Sequence, residues 1–254
     1  MSLTLSVSAA SLRAQTDLAK STRDLTKTYE RLSSGQRLNS ASDGAADLAL
    51  ADFLRSQSKL ASIAIRNANE AVSLTSVADD TLGEIQNALF RMGELAEQSA
   101  TGTYTNVQRS ALQFEFEAIG SEIQRLASTT KFNDISLLSA SSDTFVQVGF
   151  DSSENSRIRL GGVLGTLSSL NLASTDGFAL TYSVIETSTD GAQSAARLAL
   201  DAVEGAIGSI SSRRGTIGAG QSRLESAINV LTISKENFTA AENGVRDADI
   251  AQEV

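Results

Sequence analysis

The 254-residue chain contains no cysteine, histidine, tryptophan or proline. Without thiolates and imidazoles it cannot build the usual zinc sites, nor Cys-His or Ser-His-Asp catalysis. Without cysteine it needs no particular redox compartment, so life outside the cell without disulfides stays open. The absence of proline suits long uninterrupted helices, because an interior proline costs a helix ~3 kcal/mol. Aromatics are only 5% of the chain, thin for a large globular core, and small residues dominate instead, as expected where long helices pack closely. No apolar run approaches the ~20 residues of a membrane-crossing helix, and the N-terminus lacks an apolar signal-peptide core. These absences predict no membrane insertion and, if the protein leaves the cell, a route that removes no such peptide.

Charge is unevenly spread. The net of −9 argues against nucleic-acid binding over most of the surface. Residues 1–40 carry six basic and three acidic side chains, a net of +3 that leaves −12 elsewhere. The interleaved acids and an apolar stripe favour a protein-facing helix there over a membrane or targeting helix.

Periodicity predicts helices over most of the chain. A first helix is expected from about Val7 to Ser33, with Leu18, Leu25 and Leu32 repeating every seventh residue beside Ala14 and Tyr29. Ser33-Ser34-Gly35 breaks it, and Asp43 is positioned to cap the next helix. That helix is expected from about Gly44 to Ala100, roughly 80 Å long. Its stripe reads Leu60, Ala64, Asn67, Ala71, Leu74, Ala78, Leu82, Ile85, Leu89, Met92 and Ala96, with one slip from Ala78 to Leu82. A third helix, about Asn106 to Thr129, aligns Leu112, Phe116, Ile119, Ile123 and Leu126. The last, about 191–246, alternates threes and fours from Ala196 through Val203, Ile210, Arg214, Ile217, Leu224 and Leu231 to Val245.

The segment between Phe132 and Ile185 is rich in Ser, Thr, Asn and Gly. Three stretches alternate like strands: Thr144 to Gly149, Arg157 to Leu160, and Phe178 to Val184. The expected fold is mainly α: an elongated antiparallel helical bundle or coiled-coil rod with a small β-hairpin element. The domain division is 1–43, 44–140, 141–190 and 191–254.

No residue set points to catalysis, a cofactor or a metal. Asp79-Asp80 and Asp247/Asp249 read as surface charge rather than acid–base pairs. The glycines of Arg213 to Gly220 lack the Lys-Ser/Thr of a phosphate loop and read as sites of close helix approach.

The stretch Leu32-Ser33-Ser34-Gly35-Gln36-Arg37-Leu38-Asn39-Ser40-Ala41-Ser42-Asp43-Gly44-Ala45-Ala46 closely resembles the N-terminal signature of bacterial flagellin. It departs mainly at Gly44, often Asp in that family. Ile65 to Leu74, Arg91 to Ala100, Phe132-Asn133, Phe145 to Gly149 and Arg246 to Val254 resemble further family segments. The resemblance covers all but a short variable middle. It implies that residues 1–43 form an N-terminal inner-domain helix and spoke, and 44–140 the N-terminal helices of a rod domain. It makes 141–190 that domain's β element and 191–254 its C-terminal helix.

The function implied is a structural subunit that polymerises with other flagellin subunits into the bacterial flagellar filament. Such subunits are secreted unfolded through the flagellar type III export apparatus, meet cap and junction proteins, and form the extracellular flagellum. Self-assembly would fall to Leu18, Leu25, Leu32, Arg31, Gly35, Arg37 and Asn39. Arg91, Leu95 and Glu115 match positions contacted by a vertebrate Toll-like receptor in many flagellins, although Gly93 replaces a common arginine there. In the family a further helical segment follows the Asp247-Ala248-Asp249 signature and completes the inner coiled coil. The sequence stops at Val254, so the C-terminal inner-domain helix is expected to be missing. The first-helix stripe is then expected to lack an in-chain partner, residues 1–40 to be mobile in the monomer, and the export chaperone to find no docking segment. The alternatives are a hook–filament junction protein of the same superfamily and, from a different class, the coiled-coil signalling shaft of a chemoreceptor. The missing membrane spans and the β element disfavour the latter.

Overall fold

The computed structural model describes residues 9–140, 143–150, 152–161, 163–173, 179–186 and 189–253. The helices are α1 (Ala9–Ser34), α2 (Ala45–Ala100), α3 (Asn106–Thr129), α4 (Thr189–Arg246) and the short α5 (Ile250–Glu253). The strands are β1 (Lys131–Phe132), β2 (Ile135–Ser136), β3 (Thr144–Gln147) and β4 (Arg157–Leu160). They form two separate antiparallel hairpins. The chain is therefore mainly α with a small β component. The expected helix boundaries hold to within about two residues; Val7 lies outside the described residues.

Two compact units emerge, Met1–Ser62 with Leu231–Val254, and Ile63–Val230. The long helices α2 (56 residues) and α4 (58 residues) each contribute to both. At about 1.5 Å per residue each would extend some 85 Å if straight.

From Ala61 to Ser99 the buried positions of α2 form a heptad without a slip, with Leu95 buried beside it. One position holds Ala61, Ala68, Thr75, Leu82, Leu89 and Ala96; the other holds Ala64, Ala71, Ala78, Ile85, Met92 and Ser99. The expected stripe placed Leu60 in the seam, but Leu60 is exposed and Ala61 takes its place. Its slip after Ala78 came from choosing the larger side chains Leu60, Asn67 and Leu74 over their smaller neighbours. On α4, every seventh residue from Ala196 to Leu231 is buried.

The second unit has two packed clusters. In the larger, Leu82, Ile85, Leu89 and Met92 of α2 meet Phe116 and Ile123 of α3 and Val203 and Ile210 of α4. The smaller sits under the β3–β4 hairpin, where Val146, Ile158 and Leu160 pack on Ala68, Ala71 and Leu224. Strand alternation sets this inward face: Val146 pairs with Ile158 in register, while Phe145 and Arg159 point outward. Gly149 closes the hairpin turn where a Cβ would lie 2.9 Å from the Cα of Ser156.

Helix α3 starts on a capping box, Thr105 with Gln108. Its buried Arg109 donates to the Thr101 carbonyl at 2.9 Å and ties down the preceding turn. The β1–β2 hairpin was not expected. Its two turn residues, Asn133 and Asp134, both have positive φ (49° and 62°), the conformation of a tight hairpin turn that Asn and Asp tolerate better than most residues.

The third predicted strand does not form. Phe178 lies outside the described residues, and 179–184 make one isolated bridge, Ala173 with Leu180. Helix side chains replace a neighbouring strand there. Gln113 Oε1 accepts from Val184 N at 2.8 Å, and Ser99 Oγ donates to the Val184 carbonyl at 2.6 Å. The segment is thereby anchored with Leu172 and Val184 in the core.

Two further expectations are corrected. Gly215 and Gly218 of α4 face open space, and only Gly220 is approached, by Leu160. Asp79 is not free surface charge: Arg214 clasps it with two hydrogen bonds, of 2.8 and 3.1 Å, and donates to Gln86 at 2.9 Å.

The seam register is directly testable. Leu82→Ala is expected to lower stability by about 2–5 kcal/mol, and Leu60→Ala by no more than about 0.5 kcal/mol, in denaturant unfolding followed by circular dichroism. Equal effects would refute the observed register.

Candidate assembly site

The residues singled out for assembly lie in the first compact unit. Helix α1 ends at Ser34, and Gly35 takes the left-handed conformation (φ +68°) that lets its N–H reach back to the Arg31 carbonyl at 2.8 Å. From there the chain runs against the end of α4. Arg37 N donates to the Arg246 carbonyl at 2.7 Å, and Ala248 N donates to the Gly35 carbonyl at 3.0 Å. These bonds flank an antiparallel bridge between Gln36 and Asp247.

Side chains reinforce this backbone clasp. Arg37 Nη2 donates to the Val245 carbonyl at 2.8 Å and pairs with Asp47 at 3.3 Å. Arg246 Nε donates to the Gln36 amide oxygen at 3.0 Å, and its Nη1 lies 3.6 Å from Glu242. Asn39 donates to the Glu30 carbonyl and to Ser34 Oγ, at 3.2 and 2.8 Å, closing the end of α1. Leu38, between two polar neighbours, is buried.

Asp43 does not cap α2 forward as expected. Its Oδ2 accepts from the backbone N–H groups of Asn39 and Ser40, at 3.3 and 2.9 Å, and from the Ser40 hydroxyl at 2.9 Å. The hydrogen bonds donated by Ser40, chiefly by its backbone N–H, hold the Asp43 carboxyl below the ordinary aspartate value of 3.8. The carboxylate folds the spoke back on itself, while the Gly44 carbonyl accepts the first α2 bond, from Leu48 N.

The structure brings Arg31, Gly35, Arg37 and Asn39 together in this clasp and leaves the leucine stripe outside it. Leu18 is 71% exposed and Leu25 54%, with Leu12 and Tyr29 also exposed. Leu32 is half-buried near the clasp. The short α5 comes close to α1. Reading the residues alone missed Gln36, Asp47 and Arg246 as partners; an isolated Leu38 amid polar neighbours was the available signal of a buried corner.

The second residue set divides. Arg91 pairs with Glu115 at 2.7 Å and Glu94 at 2.8 Å on an exposed face. Its guanidinium is held more firmly protonated than usual, chiefly by hydrogen bonding to Glu94 and then Glu115. Leu95 is fully buried in the core and takes no part in that face. Among the described residues no three acidic side chains cluster to hold a metal ion, and no helix is long and apolar enough to cross a membrane.

Residues 5–143 match the family model of the bacterial flagellin N-terminal helical region, and 200–254 that of the C-terminal helical region. A flagellin of Halalkalibacterium halodurans is 37% identical over 230 residues, covering 90% of this chain and 79% of the relative. A flagellar filament core protein of Treponema maltophilum is 33% identical over 233 residues, covering 89% and 79%. The crystal structure of Bacillus cereus flagellin superposes with a TM-score of 0.53 at 26% identity, covering 65% of this chain and 88% of that one. With the N-terminal model spanning more than half its length and both relatives matched over most of theirs, the chain belongs to the bacterial flagellin family and is a structural subunit of the flagellar filament.

Proposed function

We propose that this subunit joins its neighbours through the apolar stripe of α1, Leu18, Leu25 and Leu32, with Arg31, Gly35, Arg37 and Asn39 fixing the direction in which α1 leaves the clasp. The single observation carrying this is the exposure of Leu12, Leu18, Leu25 and Tyr29 on one 26-residue helix. A helix of that length with an unburied stripe gains little in water by itself, because most helical stability comes from packing an amphipathic face. A coiled-coil partner removes the stripe from solvent. In this reading residues 1–43 are the assembly helix and spoke, 44–140 and 191–254 the helical shaft, and 141–190 its β element.

The same reading assigns the chain no enzymatic role. Its subunits are secreted unfolded through the flagellar type III apparatus, meet cap and junction proteins, and act outside the cell. An innate immune receptor would meet Arg91 and Glu115 without Leu95. A Toll-like receptor reporter line that stays silent on monomer, while answering a standard flagellin, would reject that contact.

Cells producing this subunit with Leu18→Ser and Leu25→Ser together are expected to release monomer into the medium and to lack filaments. Electron microscopy of the cell surface and immunoblotting of the medium read the outcome; normal filaments would overturn the assignment of the stripe.

The spoke carries an acid limit. The Asp43 pKa is depressed in the folded state, so its contribution is fully present above the ordinary value and is lost as pH falls below it through the folded value. Amide resonances of Asn39 and Ser40 are expected to titrate together below pH 3.8, and not to do so in Asp43→Asn. A midpoint at or above the ordinary value would show that the carboxylate does not hold the turn.

A further inference from the structure

We propose that the second compact unit contains a binding site for a small amphiphilic anion: one carboxylate carried on a medium-length alkyl chain or a single aromatic ring. The site is a cavity of about 290 Å³ between α2, α4 and the β3–β4 hairpin, just below the range typical of small-molecule sites.

Its origin is the seam itself. Where α2 passes beneath the hairpin, its heptad positions hold Thr75 and Ala78 rather than leucine or isoleucine. Small side chains there leave space that the hairpin does not fill. The Thr75 hydroxyl is already committed to the Ala71 and Val72 carbonyls of its own helix, at 3.0 and 2.9 Å, so this residue presents mainly its methyl face. Leu74, Leu137, Leu160 and Ile217 supply aliphatic walls, three of them less than a tenth exposed, and Ser136, Thr144 and Thr216 add hydroxyls to the lining. The aliphatic walls favour hydrocarbon.

The polar end of the ligand is set by charge. Two arginines, Arg159 and Arg223, are among the lining residues, and no aspartate or glutamate is; the Arg159 side chain itself points outward from the hairpin. Arg159 is paired outside the lining with Asp143 at 3.0 Å. Arg223 has no carboxylate partner among the described residues. The mouth therefore carries a surplus positive charge on a chain whose net charge is −9. An apolar floor with a surplus guanidinium at its rim selects a molecule with a hydrocarbon body and one anionic end, since a charge-assisted hydrogen bond to Arg223 orients the headgroup while the body displaces water. A cation of the same body meets repulsion there.

The probe is decanoate, held below its micelle-forming concentration and titrated calorimetrically into the complete monomeric chain. One saturable site is expected, with decylamine not competing. Arg223→Glu is expected to weaken decanoate binding about tenfold or more, whereas Arg125→Ala, at an exposed ion pair of α3, leaves it unchanged. Because Arg223 is exposed, its substitution is expected to leave the melting curve intact, which separates lost binding from lost fold. Nuclear Overhauser contacts from the decanoate chain to the Leu137 and Ile217 methyls locate the ligand. Absence of saturation, equal binding of decylamine, indifference to Arg223→Glu, or contacts elsewhere on the surface would each overturn the proposal. So would release of decanoate on concentrating the protein alone, which would give the cavity to a second copy of the chain.

Discussion

The size of the side chains along one heptad seam decides what each stretch of α2 packs against. From Ala64 to Ala78 the buried positions carry alanine and one threonine; from Leu82 to Met92 they carry leucine, isoleucine and methionine. Small side chains let a pleated hairpin settle on the helix, and Val146, Ile158 and Leu160 supply the volume that Ala68 and Ala71 do not. Large ones need a helix-lined pocket, which Phe116 and Ile123 of α3 and Val203 and Ile210 of α4 provide. Each fully buried leucine or isoleucine contributes about 1.5–3 kcal/mol relative to exposure. A chain with 5% aromatics thus draws its cohesion from many aliphatic contacts in series, not from a few large rings.

Polar groups interrupt that seam without breaking it, because each finds a defined acceptor or donor. After Ile210 the α4 sequence places Arg213 and Arg214 where aliphatic residues would extend the packing. Arg214 turns to Asp79 and Gln86 on α2. Arg213 turns to the loop after β4, donating to the Leu164 carbonyl and to Ser169 Oγ and O; burial lowers its pKa from a value far above neutrality. Arg213 holds the stretch from Leu164 to Ser169, and Ser99 and Gln113 hold Val184, with Leu167, Leu170, Leu172 and Val184 in the core. Helix side chains satisfy backbone groups that a sheet would otherwise have to pair.

That division explains what could be read from the residues. Helix spans were legible because the seams repeat over many turns and no proline intervenes. The β3–β4 hairpin was legible because alternation at Val146 and Ile158 matches a one-sided burial pattern. The heptad register of α2 was misread since hydrophobicity favoured Leu60 over Ala61, while packing favoured the residue on the correct face. The stretch 179–184 alternates like a strand, yet its hydrogen bonds go to glutamine and serine side chains that periodicity cannot register. In the assembly region, Arg37 and Asn39 carried a strong local pattern, but their partners, the Val245 carbonyl and the α1 terminus, are set by where the returning chain arrives. Leu95 satisfied a surface motif and a core heptad neighbour at once; burial resolved it in favour of the core.

The same kind of repeat thus ends in two different states. On α2 and α4 it is buried by segments of the chain itself; on α1, Leu18 and Leu25 remain open to solvent. Periodicity states that a helix face requires cover and says nothing of which molecule supplies it. The clasp at Gly35 to Asn39 makes the distinction physical. Its backbone bonds to Arg246 and Ala248 and the Asn39 bonds to the end of α1 fix the root of that helix without drawing on the leucine stripe. The clasp and the stripe use different residues, so Leu18 and Leu25 stay exposed while the base of the helix is held. In a family whose members are filament subunits, contacts repeated along the polymer can each be modest.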